Sequence, residues 1–142
     1  MTDTLEQAQK EGRAPWTNVT INTKDFVVYE DIYPVTEGHT LVVPRENTIE
    51  NINKCFNFAM TMGSDNVRSE KTNITGFNVG INMGASAGQT CMYPHVHLIF
   101  RRDGDMENPA GGVRGVIPAK QKYTKKDTDQ IEMFESDVSI VC

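Results

Sequence analysis

The sequence predicts an α+β domain: an antiparallel sheet covered by one main helix. Three observations carry this prediction. Short apolar runs bounded by turn residues lie on both sides of a single long stretch of helical period. That stretch, residues 48–68, spaces Ile49, Ile52, Phe56, Ala59, Gly63 and Val67 three and four apart, which is one face of a helix. Finally, the order is strands, one helix, then strands, without the strand–helix alternation that builds a parallel sheet.

Element by element, residues 1–15 are polar and read as a mobile lead-in, 16–123 as one domain, and 124–142 as a polar C-terminal tail of partly helical character. The run NVTINTKDFVVYEDI (18–32) gives two short strands with a turn near Lys24 and Asp25. YPVTEG (33–38) is a turn in which Pro34 fixes φ and Gly38 tolerates an unusual backbone. HTLVVPR (39–45) is a buried strand stopped by Pro44. Asn47 or Thr48 caps the helix, and Gly63, a poor helix former, is expected to end it early. TGFNVGINMG (75–84) is the next strand, ASAG (85–88) a tight turn, and GQTCMYPHVHLIFRR (88–102) a last strand. Residues 103–123 form a loop rich in Gly and Pro, and no internal repeat is visible.

Composition narrows the class. The chain has 142 residues with 38% hydrophobic and 23% charged, an ordinary soluble globular make-up. Fourteen basic against nineteen acidic residues give a net charge of −5, which argues against nucleic acid and anionic membranes as partners. No apolar run approaches the roughly 20 residues of a membrane span. The opening MTDTLEQAQKEGRAPW has no apolar core of a secretory signal. Three cysteines, Cys55, Cys91 and Cys142, make an odd count without CxxC spacing, so a reducing, cytoplasmic setting is expected. Residues 98–126 depart from the acidic average: seven Lys/Arg face three acids, a local +4 suited to an anionic small molecule.

Two of the chain's three histidines, His95 and His97, stand two apart in the last strand. Residues so spaced share a face, about 6.7 Å apart along the backbone. Met92, Pro94, Val96, Leu98 and Phe100 would then form an apolar face, and Cys91, Tyr93, His95 and His97 the other. Three readings of the histidines stand side by side. They can be structural, bonded to neighbours on a half-exposed face. They can ligate a metal with His39 as third ligand, although two arginines and no glutamate follow. Or they can act in nucleophilic catalysis. Cys91 with His95 as its base fails on distance, since four strand residues span about 13 Å. The histidine itself remains: an imidazole can attack phosphorus and form a phosphoramidate that water hydrolyses. Gly84 and Gly88 in the preceding turn would bring backbone N–H groups to a phosphate, with Gln89 and Thr90 adding side-chain donors.

NMGASAGQTCMYPHVHLIFRR resembles the signature of the histidine triad (HIT) family, and YEDIYPVTEGHTLVVPREN its first motif. GDMENPAGGVRGVIPAKQKY is similar to the tail of a bacterial and phage-type branch described as diadenosine-polyphosphate-hydrolase-like. The resemblance implies cleavage at the α-phosphate of a dinucleoside polyphosphate or related nucleotide, without metal or other cofactor, by a homodimer. It implies His95 as nucleophile, His97 as the histidine orienting the phosphate, and Gln89 near the bridging oxygen. Asn82, Gly88 and Thr90 would contact phosphate, Asp31 the ribose hydroxyls, and His39 phosphate and sugar, while Ile32 and Leu41 would line the base pocket. Arg114 in GGVRG is expected to reach a distal phosphate. The family's first histidine is Tyr93 here, followed by Pro94, so a catalytically weak nucleotide-binding module is the alternative.

Overall fold

The computed structural model describes residues 1–122. The described residues fall into two compact units that divide between Asp105 and Met106, within the stretch 16–123 expected as one domain. The tail expected over 124–142 lies outside the described residues.

The first unit is α+β with a five-stranded, wholly antiparallel sheet, as the sequence predicts. Its strands are β1 (Val19–Asn22), β2 (Phe26–Glu30), β3 (Thr40–Pro44), β4 (Gly76–Ile81) and β5 (Val96–Arg101), in the order β1-β2-β3-β5-β4. Two helices precede or interrupt them: α1 (Leu5–Lys10) and α2 (Ile49–Arg68). Thr48 caps α2, its hydroxyl accepting from the Asn51 N–H.

Alternation along the strands sends side chains to two different cores. On one face Val28, Val42, Val96, Leu98 and Phe100 meet Ile52, Cys55 and Ala59 of α2. On the other, Val27, Tyr29, Leu41, Val43 and Tyr93 meet Leu5 and Ala8 of α1 and Ala14. Gly63 does not end the helix. A Cβ there would lie 2.5 Å from the Phe77 ring, so glycine is what lets α2 approach β4, and packing outweighs its poor propensity.

The lead-in also differs from expectation. Residues 1–15 contain α1, whose Leu5 and Ala8 are buried. The segment is latched: the Asp3 carboxylate accepts from Arg13 at 2.9 and 3.2 Å, and the Asn47 N–H donates to the Asp3 carbonyl at 2.8 Å. Arg13 accordingly holds the Asp3 carboxyl below its ordinary range. With only two inward residues, a six-residue helix offers no period to read.

The histidine strand is shorter than predicted. It begins at Val96, so Cys91 to His95 approach it as irregular chain. Pro94 therefore never faces the demand for a ladder N–H. In the second unit, 3-10 turns run Gly112–Val116 and Pro118–Lys120. Gly111, at φ +92°, is placed where a Cβ would strike the Gln121 carbonyl oxygen.

Candidate active site

β5 holds His97 at the middle of the sheet, opposite Leu41 of β3 and Gly80 of β4. His95 lies just before the strand and still faces the same way, with ring centroids 5.1 Å apart. His39 lies just before β3 and reaches His97, its Nε2 2.9 Å from His97 Nδ1. All three histidines of the chain thus meet in one place.

The hydrogen bonds fix where the protons sit. The Val35 N–H donates to His39 Nδ1 at 3.1 Å, so the His39 proton is on Nε2 and is donated to His97 Nδ1. His97 then carries its own proton on Nε2. The Tyr93 carbonyl can only accept, so His95 donates from Nδ1 at 2.8 Å and its Nε2 keeps a lone pair. Burial lowers the affinity of all three rings for a second proton, and His97, beside two other imidazoles, is pushed down to about 4. At neutral pH the cluster is therefore uncharged, with one nucleophilic nitrogen at His95.

Asp31 stands beside it. One carboxylate oxygen accepts from the Tyr33 N–H at 2.8 Å, and the other lies 3.7 Å from His39 Nδ1. Asp31, His39 and His97 are the one group among the described residues whose ligand atoms approach within 4.8 Å of one another. Hydrogen bonds occupy both His39 nitrogens and His97 Nδ1, so the set reads as a hydrogen-bonded network and no metal is assigned to it.

The turn before the histidines is braced by Gln89. Its side-chain oxygen accepts from the Gly84 N–H at 2.8 Å, and its amide donates to the Cys91 carbonyl at 3.2 Å. Gly84 and Gly88 have φ of +95° and +93° in open space, so backbone conformation, not crowding, calls for glycine there. Thr90 is exposed on this turn, and Asn82 lies one residue past the last β4–β5 pair, Ile81 with Val96.

Two expected residues, Tyr93 and Leu41, sit differently. Tyr93 is fully buried in the α1-side core, where its hydroxyl donates to the Pro44 carbonyl at 2.7 Å; it offers the site its backbone oxygen, not its phenol. Burial raises the phenol pKa further. Leu41, expected to line a base pocket, is 1% exposed and belongs to the same core, whereas Ile32 is 66% exposed. Arg114 lies in the second unit, where its Nε donates to the Gln121 carbonyl at 3.3 Å.

The local positive charge is partly committed as well. Arg101 is held by both Asp105 oxygens at 2.8 Å, which pushes the Asp105 carboxyl down to about 2, and Arg102 donates to Glu37 O and Asn73.

Sequence reading missed Trp16. Its ring centroid is 4.7 Å from that of His95 and 6.0 Å from that of Tyr29. A lone tryptophan amid polar residues, after Pro15, was the only available signal.

Comparison with known proteins places this geometry. The HIT domain matches residues 14–104. An AP-4-A phosphorylase of Mycobacterium tuberculosis is 35% identical over 104 residues, covering 68% of this chain and 53% of that protein. Adenylylsulfatase HINT3 of Arabidopsis thaliana is 31% identical over 80 residues, covering 53% and 41%. The chain spans 22%, 63% and 53% of the lengths of the first curated relatives it matches. Among solved structures, a Zn-bound histidine triad family protein from Mycobacterium smegmatis superposes with a TM-score of 0.59 at 28% identity, covering 75% of this chain and 80% of that one. The chain belongs to the HIT domain family.

Proposed function

We propose that this chain is a nucleotidyl hydrolase or transferase that cleaves at the α-phosphate of a dinucleoside polyphosphate or related nucleotide. The observation that carries the reading is the His95 tautomer: Nδ1–H is spent on the Tyr93 carbonyl, which leaves the Nε2 lone pair for phosphorus. Nε2 forms the P–N bond as the bond to the leaving oxygen breaks, and the electron pair departs with that oxygen. Water then attacks the same phosphorus, the P–N pair returns to Nε2, and a proton is lost to solvent. The relatives named phosphorylase and adenylylsulfatase support chemistry at a nucleotide phosphate.

The remaining residues fall into supporting roles. His97, its proton directed to Nε2 by His39, donates to a phosphate oxygen. The N–H groups of the Gly84–Gly88 turn and the Thr90 and Asn82 side chains add donors, and Gln89 keeps that turn in shape. The second Asp31 oxygen accepts from the ribose hydroxyls, with exposed Ile32 beneath the base. A homodimer joined at β4 fits the sheet order, in which β4 is an edge strand among the described residues.

A binding-only module is the second reading, favoured by one observation: the buried Tyr93 phenol cannot relay protons as a histidine could. A panel of dinucleoside polyphosphates, nucleoside phosphoramidates and nucleoside monophosphates, read for both affinity and turnover, separates the two. Turnover of any member supports the enzyme; affinity without product from every member leaves the binder.

A further inference from the structure

Trp16 is tied to no step described so far, yet it touches the one nitrogen-bearing ring on which charge develops. Its indole centroid is 4.7 Å from the His95 imidazole centroid, with the planes inclined at 52°. A cation within about 6 Å of a tryptophan ring centroid is attracted by the ring's negative face, most strongly where water is excluded. His95 is only 8% exposed. Its ring is neutral before attack and becomes an N-nucleotidyl imidazolium afterwards, because Nε2 gains phosphorus while Nδ1 keeps the proton on the Tyr93 carbonyl. An interaction present with the cation and weak with the neutral ring lowers the barrier instead of merely tightening binding.

We propose that Trp16 is a positioning residue that holds the His95 ring and, through its π face, stabilises positive charge on it. This rests on the nucleotidyl-histidine reading above for its catalytic consequence, though not for its physical content. The other groups facing His95 do not supply the same stabilisation. His97, at 5.1 Å between centroids, is a neutral imidazole that becomes a like charge if protonated. Asp31 is the one acid that favours the cation electrostatically, and it is shared with His39 and His97. Tyr93 presents a carbonyl to Nδ1. Trp16 adds attraction without adding charge, so the resting cluster stays neutral.

The test exploits the fact that Trp16 is the chain's single tryptophan. Biosynthetic replacement by mono-, di- and trifluorinated tryptophan weakens the π face in steps while keeping its shape. In ligand-free protein, the His95 pKa followed by nitrogen-15 NMR is expected to fall with each fluorine, by about half a unit to one unit over the series. Trp16→Leu, which keeps apolar bulk without a π face, is expected to lie below Trp16→Phe. With diadenosine tetraphosphate as probe, kcat is expected to fall about threefold to tenfold over the same series while KM holds. An unchanged His95 pKa across the fluorinated series overturns the proposal even if Trp16→Leu fails to fold. If wild type gives neither adduct nor turnover with any nucleotide of the panel, the proposed function fails, and the NMR series still decides Trp16 on its own.

Discussion

The two faces of the sheet are built by the same strands and the same alternation, yet they do different work. The face under α2 is apolar throughout, aliphatic residues packed with Phe100, and the one ionisable group of its buried cluster, the Cys55 thiol, is pushed by burial up to about 12. The other face carries the polar groups: Trp16 and the Tyr93 carbonyl lie against His95, and the three histidines are each held below their ordinary pKa. Val96 and Leu98 on one side and His97 on the other are adjacent residues of β5. A close-packed interior one residue away fixes the backbone that aims the histidines. Both faces are buried, and they differ in what they bury: one packs only apolar side chains, the other a cluster of hydrogen-bonded histidines.

Substitutions on the two faces are therefore expected to separate cleanly. The largest effect belongs to His95→Ala, which removes the nucleophile: turnover of diadenosine tetraphosphate is expected to drop by at least about 10³-fold, with affinity largely retained in a binding titration. Leu98→Ala, on the α2 face, is expected to cost about 2–5 kcal/mol of stability as a shift in urea midpoint, while the fraction that stays folded keeps its kcat. A Leu98→Ala protein that is stable but inactive would break the division of labour.

Acid is expected to weaken the histidine cluster first. An unfolded histidine takes up a proton near pH 6.5, whereas folded His97 resists until about 4. The unfolded state thus binds more protons between those values. Stability is full above about pH 6.5, falls as pH drops toward 4, and levels off below, when both states are protonated. The carboxyl of Asp105, held at about 2 by Arg101, loses its contribution in a lower window, from its ordinary 3.8 downward. Urea midpoints between pH 7.5 and 3.5 check this, and His97→Gln should flatten the upper part of the fall.

The smallest effect sharpens the boundary between the faces. Tyr93→Phe removes the hydroxyl bonded to the Pro44 carbonyl, at an expected cost of about 1–2 kcal/mol. Because the Tyr93 carbonyl that orients His95 remains, kcat is expected to be unchanged. A fall in kcat without a fall in stability would give the phenol a role in the reaction.

What the sequence made legible follows the same line. The α2 face was readable because period is a property of consecutive residues: 48–68 showed its helix and 96–101 its alternation. The meeting of His39, His95 and His97 was implied by motif resemblance, not by period, since His39 is 58 residues from His97. Three features were hidden, each for a physical reason. Gly63 looked like a helix breaker because its partner, Phe77, is distant in sequence. α1 was too short to show a period. Strand parity points Tyr93 into the site, but the strand starts three residues later, and its hydroxyl donates to the Pro44 carbonyl instead.

The central claim is that His95 Nε2, freed by the Tyr93 carbonyl, becomes covalently bonded to the nucleotide. Rapid acid-free quenching after mixing with diadenosine tetraphosphate, followed by peptide mass spectrometry, tests it most directly. One nucleotidyl group is expected on the peptide containing His95, and none in His95→Ala. Steady turnover with no adduct on that peptide, or an adduct that persists in His95→Ala, would contradict it.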